Sequence, residues 1–176
     1  MHVMVSEYND DWKQKFSEES QKITDIFGNE LVDIHHIGST SVPGLKAKPI
    51  IDIMPVVKDI KKIDSLNEQM TGLGYECMGE LGMKGRRYFR KGGDNRTHQV
   101  HVFQRDNNED ITRHMAVRDY LRTHPDEANR YGDLKESLAK RFPRDIEAYM
   151  DGKDAFVKEL ERKALNWYKM GKETLS

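Results

Sequence analysis

The sequence predicts an α+β protein: a mixed β-sheet with flanking helices over about residues 1–108, then a helical part over about 109–176. Three observations carry this expectation. The run PIIDIMPVV (Pro49 to Val57) is too short and too β-branched for a good helix and fits a buried strand. The glycine clusters GELGMKG and KGGDN separate three further strand-like runs, as the turns of an antiparallel meander would. From Ile111 onward the apolar spacing is helical only. At 176 residues the chain has the size of one ordinary domain, able to bury roughly 70% of its unfolded surface, so a single domain over 1–176 is expected.

In order along the chain, Asp10 to Phe27 puts Trp12, Phe16, Ile23, Ile26 and Phe27 on one helical stripe with acids at its start. Gly28-Asn29 closes that helix. Leu31 to Ile37 reads as a strand leading into a loop, and Pro49 to Val57 as the next strand. A second helix is expected over about Ile60 to Gly72. Three strands follow, Tyr75 to Glu80, Arg86 to Lys91 and Thr97 to Arg105. His124-Pro125-Asp126-Glu127 has the form of a helix start, with proline in the first turn and acids at the positive end of the dipole. Leu134, Leu138 and Phe142 continue that helix. A last helix spans about Asp145 to Met170, with an interruption expected near Gly152 and with Phe156, Leu160, Leu165 and Trp167 as core candidates.

Bulk composition narrows the function. With 29 basic and 30 acidic side chains, net charge gives no reason to expect nucleic acid or a membrane surface. One cysteine, Cys77, cannot form an internal disulfide and reads as structural. The first residues carry no basic-then-apolar leader, and no apolar run approaches the ~18 residues of a spanning helix. A cytoplasmic protein is expected.

The stretch HIGSTSVPGLKAKPIIDIMP, His36 to Pro55, concentrates the chemistry. Gly38-Ser39 lets the backbone turn sharply and frees N–H groups to face an anion. Ser39, Thr40 and Ser41 add hydroxyl donors, and Lys46 and Lys48 positive charge. A well-capped surface turn would use the same residues. It is not a Walker A loop, because Leu45 follows Gly44 where lysine is needed. Asp52 lies inside IIDIM, pointing the same way as Ile50 and Met54. Burying an ionised carboxylate without a partner costs several kcal/mol. Asp52 therefore faces a cleft, binds a cation, or pins the loop by hydrogen bonds.

Spacing limits what the seven histidines can do. His98 and His101 are three apart and face opposite sides of a regular strand, as do the adjacent His35 and His36. A metal set would take one from each: His36, Asp52, and His98 or His101. Such donors suit Zn²⁺, Mn²⁺ or Ni²⁺ better than Mg²⁺; hydrogen-bonded core histidines are the other reading. Two-histidine phosphoesterase chemistry needs two His-x-Ser/Thr motifs, which the chain lacks. Lys84, Arg86, Arg87, Arg90 and Lys91 form a basic turn and strand, either an anion clamp or a solvated edge. Arg87 is aimed at a ligand in the first reading, with Arg96 as a second candidate. In VRDYLR, Arg118 and Arg122 share a helix face; this segment either reaches the cleft or pairs with acids such as Glu109 or Asp126, the reading favoured here.

HIGSTSVPGLKAKPIIDI resembles the signature of the GrpB family, small bacterial proteins of poorly defined function. The resemblance continues through GRRYFRK, RTHQVHVF, VRDYLR, the spacing of Tyr131, Leu134 and Lys135, and the Tyr149/Lys153/Phe156 region. It implies a nucleotidyltransferase-like fold, in which Gly-Ser follows the first sheet strand and an acid pair on the next strand, with a third acid beyond, holds two divalent metals. Gly38-Ser39 and the twelve residues before Asp52 fit that pattern. Met54 stands where the second acid belongs, and the strand expected to carry the third offers His98, Gln99 and His101. Two-metal chemistry would lack most of its charge. The expectation is a protein that binds a small phosphorylated or nucleotide ligand through Gly38, Ser39, Thr40, Lys48 and Arg87. Asp52, His98 and His101 would be its catalytic or metal-binding groups, and Mg, Mn or Zn the candidate metal. The alternative is an accessory protein without catalysis, since the family also occurs fused to dephospho-coenzyme A kinase.

Overall fold

The computed structural model describes the backbone of residues 2–175 and the side chains of residues 2–171. The chain forms two compact units. One comprises Met1–Asn9, Gly38–Pro49 and Ile111–Ser176; the other comprises Asp10–Ile37 and Ile50–Asp110. Two early segments, residues 1–9 and the loop that begins at Gly38, group with the helices.

In the sheet unit, α1 (Asp11–Phe27) leads into β1 (Leu31–Ile37) and β2 (Ile51–Val57). Next come a 3₁₀ stretch (Ile60–Leu66), the short α2 (Asn67–Gly72), and β3 (Tyr75–Cys77), β4 (Arg86–Lys91) and β5 (His98–Gln104). The expected single helix over 60–72 is thus split into a 3₁₀ and an α segment. The strand order is β1-β2-β5-β4-β3. Only β2 and β5 run parallel; the other neighbours are antiparallel, so the sheet is mixed and β3-β4-β5 form the expected meander. Pro55 sits inside β2 although it has no N–H for the ladder. The β1–β2 register shifts between Leu31 and Asp33, opposite Val57 and Val56 next to it.

α1 packs on β1 and β2. Its stripe buries Trp12, Glu19, Ile23 and Phe27, and Gly28 closes it in a left-handed conformation with φ 55°. One sheet face is therefore the α1 face. It carries Ile51, Ile53, Val100, Val102 and Phe89, each no more than 2% exposed.

The helical unit holds α3 (Asn108–Thr123), α4 (Pro125–Arg141) and α5 (Ile146–Leu175). Ser6 bridges Ala47 in antiparallel fashion, and Val42 and Leu45 join Leu121, Tyr131 and Leu160 in one core cluster. That packing explains why the loop groups with the helices. Val3 packs with Leu138, Ala139 and Tyr149 in a second cluster. α5 is continuous, without the break expected at Gly152. There a Cβ would meet Leu138 Cδ2 at 2.4 Å, so this glycine serves the close approach of α4 and α5. Leu165, expected in the core, is exposed. No helix among the described residues is long and apolar enough to cross a membrane.

Candidate functional site

The register of three strands decides which predicted residues meet. Asp52 pairs with Ile37 of β1 and Gln99 of β5, so His101, two residues beyond Gln99, shares its face. His101 Nε2 lies 3.0 Å from Asp52 Oδ1, with the side chains 13% and 21% exposed. Tyr88 of β4 is in register with His101, and the two rings are 5.3 Å apart. Arg86 and Arg90 alternate with Tyr88 and take the same face. Arg86 stacks its guanidinium over the Tyr88 ring at 4.8 Å and Arg90 reaches Glu76 at 3.7 Å. Burial pushes the Tyr88 phenol up; Arg96, Arg90 and Arg86 oppose that shift and Asp52 adds to it. The Asp52 face thus gathers an aspartate, a histidine, a tyrosine and several arginine charges.

Other predicted residues lie elsewhere. His36 pairs with Ile53 and His98 with Ile51, which puts both on the α1 face, away from Asp52. His36 stacks on Phe16, centroids 4.7 Å apart and 6° from parallel. His98 Nδ1 is 2.8 Å from Thr97 Oγ1; burial pushes its imidazole below the ordinary range, against the pull of Glu19. Arg87 also takes the α1 face, where Nε and Nη2 hold Asp64 at 2.7 and 3.3 Å. Those bonds raise its affinity for its proton and pair it with an acid of the 3₁₀ segment.

The loop residues belong to the helical unit. Gly38 has φ 72°, a conformation glycine adopts without strain, and Ser39–Ser41 form one 3₁₀ turn with Thr40 and Ser41 buried. Ser41 Oγ donates to Gly38 O at 2.5 Å, and Arg122 Nε donates to Ser41 O at 2.9 Å. The Ser41 hydroxyl and carbonyl are thus spent on holding this turn. Gly38 and Ser39 line a cavity of about 100 Å³ with Arg118, Tyr131, Leu160 and Glu161, below the roughly 300–1,000 Å³ of drug-sized pockets. Arg118 pairs with its neighbour Asp119 at 2.8 Å. Lys46 is held by Asp133 at 3.1 Å and Glu136 at 3.2 Å, whereas Lys48 lies over the Tyr149 ring at 5.2 Å.

The donor set does not match a metal centre. Among the described residues no three His, Cys, Asp or Glu side chains are gathered as a metal ion requires. Asp52 and His101 supply two donors and His36 faces the other way, fewer than the three protein ligands of a catalytic zinc site or the acids of a two-metal site.

Two features had no role assigned from sequence. Glu19 is buried on α1 and accepts from Lys91 Nζ at 2.5 Å and Tyr75 Oη at 2.8 Å. Burial works to raise its pKa, but those hydrogen bonds prevail and hold the carboxyl below its ordinary range. Lys135 is 2% exposed on α4 and has no hydrogen-bond partner. A legible signal for it existed: Tyr-x-x-x-Lys occurs in both YGDLK and YMDGK.

Comparison with known proteins places this arrangement in a family. The model described as GrpB protein matches residues 2–163, so the chain belongs to the GrpB family. It is 46% identical over 95% of its length to the UPF0157 protein YqkA of Bacillus subtilis, covering 48% of that protein. It is 23% identical over 89% of its length to part of a dephospho-CoA kinase of Mycolicibacterium paratuberculosis, covering 44% of it. The chain therefore spans about half the length of either relative. The crystal structure of the conserved protein GrpB from Enterococcus faecalis matches 94% of this chain and 99% of its own, at TM-score 0.91 and 48% identity. A cytoplasmic RNA terminal U-transferase matches 77% of this chain and 42% of its own, at TM-score 0.51 and 14% identity. That likeness concerns the fold alone: an α+β, nucleotidyltransferase-like mixed sheet with flanking helices.

Proposed function

We propose that the protein binds a small phosphorylated or nucleotide ligand on the Asp52 face of its sheet and retains there an altered form of nucleotidyl or phosphoryl transfer. The observation that carries this reading is the 3.0 Å pairing of Asp52 with His101 on neighbouring strands, on the face shared by Tyr88, Arg86 and Arg90. The Asp52 carboxylate orients the His101 imidazole through Nε2, and the pair presents a fixed ring and a carboxylate to a ligand on this face. Arginine forks bind phosphate oxygens. A divalent ion in this scheme would arrive with the nucleotide, held by phosphate oxygens and at most Asp52.

A thermal-shift panel tests the proposal. Wild type and Asp52→Asn are heated with each nucleoside triphosphate, alone and with Mg²⁺, Mn²⁺ or Zn²⁺. A ligand at about 100 times its Kd adds ~2.7 kcal/mol, on the order of 5–10 °C for a chain of this length. A shift in wild type that Asp52→Asn loses is the expected result. Equal shifts in both proteins, or none in wild type, would overturn it. The second reading, a non-catalytic accessory protein, is favoured by the match to part of a dephospho-CoA kinase. It requires that no nucleoside triphosphate is turned over under any of these conditions.

A further inference from the structure

The β4–β5 turn carries one more arginine to the Asp52 face of the sheet. The chain turns between Lys91 and Thr97 through KGGDNRT. Asn95 N donates to Gly92 O and Thr97 N to Lys91 O, both at 2.9 Å. Thr97 O in turn accepts from Ile51 N at 2.9 Å, which ties the end of the turn to β2. Gly92 has φ 106°, and a Cβ there would meet Asn95 O at 2.4 Å, so glycine is required for the turn to close in this form. Arg96 leaves this braced backbone with its side chain half-buried. Its charge bears on the Tyr88 phenol ahead of those of Asp52, Arg90 and Arg86, which sets it on their face. Nε of Arg96 and Nε of Arg90 are both shut off from water, and among the described residues neither has a hydrogen-bond partner. Buried polar atoms of native proteins are nearly always hydrogen-bonded, and a buried charge is costly unless paired. Two such atoms on one face call for an acceptor that the described residues do not supply.

We propose that Arg96 and Arg90, with the Tyr88 hydroxyl, bind the terminal phosphate of a phosphorylated ligand. This rests on the reading that the Asp52 face takes such a ligand, and it names the groups that hold the anionic end. The neighbouring arginines are engaged elsewhere. Arg86 donates from Nε and Nη2 to Glu80 O and Leu81 O at 3.3 and 3.1 Å, and Arg87 is held by Asp64. Arg90 has a looser tie: its contact with Glu76, which is 55% exposed, is 3.7 Å long, beyond hydrogen-bond reach. The Arg90 side chain is itself 29% exposed, so it is reached from solvent. Two guanidinium charges match a dianion, and their forks suit phosphate oxygens. The phenol, held protonated by burial, adds a neutral donor. A terminal phosphate brings two charges and three non-bridging oxygens to these groups, whereas a phosphodiester brings one charge and two oxygens. The Asp52 carboxylate repels an anion, so the phosphate sits toward the turn and away from β2.

Calorimetric titration of the full chain with pyrophosphate and with dimethyl phosphate, free of metal and at constant ionic strength, tests the assignment. Pyrophosphate stands in for the terminal phosphate and dimethyl phosphate for a diester. Expected are saturable binding of pyrophosphate and at least tenfold weaker binding of dimethyl phosphate. Arg96→Met should weaken pyrophosphate binding at least tenfold, and Arg96→Lys by less, because the charge remains and only the fork is lost. Lys158→Met, which removes an exposed positive charge of α5, should bind as wild type does. Asp52→Asn should bind pyrophosphate at least as tightly as wild type, since it removes a repelling charge. The transfer reading of this face expects the same variant to lose its nucleotide-dependent thermal shift, so the two fail separately. Pyrophosphate affinity unchanged in Arg96→Met, equal affinity for dimethyl phosphate, or no saturable heat with pyrophosphate would each overturn the proposal.

Discussion

Two buried ionisable side chains, one in each unit, are treated in opposite ways. Glu19 is 5% exposed and Lys135 is 2% exposed. Around Glu19 the sheet unit supplies the Lys91 ammonium and the Tyr75 hydroxyl, both as donors to Oε1. The compensation is complete enough to hold the carboxyl ionised below its ordinary range despite burial. Around Lys135 the helical unit supplies two further ammonium groups, and the amine gives up its proton more readily as a result. Because taking a charge out of water costs several kcal/mol, the first arrangement is a structural solution. The second is a cost within the fold.

The largest effect expected from this comparison is at Glu19. Glu19→Ala strands the Lys91 ammonium and leaves the Tyr75 hydroxyl without its acceptor, and should lower unfolding free energy by about 3–5 kcal/mol in urea titration. A loss below ~1 kcal/mol would mean the cluster is no better compensated than a surface pair. At Lys135 the sign should reverse. Lys135→Met keeps the length of the stem and removes the amine, and should stabilise the free protein by about 2 kcal/mol at pH 7. In thermal melts that is a rise of roughly 4–8 °C for a chain of this size. Destabilisation by Lys135→Met would remove the contrast and make Lys135 a structural residue like Glu19.

The same contrast shows what the sequence could and could not reveal. Strand alternation placed His98 and His101 on opposite faces, and the structure agrees, because period two is a local property of the backbone. Which of them meets Asp52 was not local. It depends on β2 and β5 lying side by side in parallel, a pairing across an intervening helix and two strands. The strands and the helical half were legible for the same local reason, from β-branched runs and helical spacing. Arg87 illustrates the limit. It was aimed at a ligand, but its partner Asp64 sits 23 residues away on the 3₁₀ segment, and nothing in the spacing links the two. Gly152 marks the reverse case. Glycine is a poor helix residue by propensity, so a break was expected, yet contact with Leu138 on another helix overrides that local preference. Lys135 was visible as one of two Tyr-x-x-x-Lys turns, but lysines at helical spacing usually face solvent, and only packing puts this one inside.

The smallest of the expected effects is also the most specific, because it separates the two residues by pH. The Lys135 amine titrates near 6 in the folded chain and near 10.5 when unfolded. Between those values the unfolded chain binds the additional proton, so the stability of wild type should climb with pH across this window. Below about pH 6 the amine is charged in both states and this contribution is flat. Lys135→Met lacks it, so its advantage over wild type should narrow from pH 7 to pH 9. Glu19 acts in the acid range instead. Its folded pKa is depressed, so its contribution is present above the ordinary carboxylate range and is lost as pH falls through the folded value. Glu19→Gln should therefore differ from wild type least in acid, whereas Lys135→Met should differ least in alkali. Melting curves at unit steps from pH 3 to pH 9 would resolve both trends in the same two variants. Parallel curves for wild type and Lys135→Met between pH 6 and pH 9 would mean that the amine keeps its proton in the fold. The helical unit would then compensate Lys135 from within, as the sheet unit does Glu19.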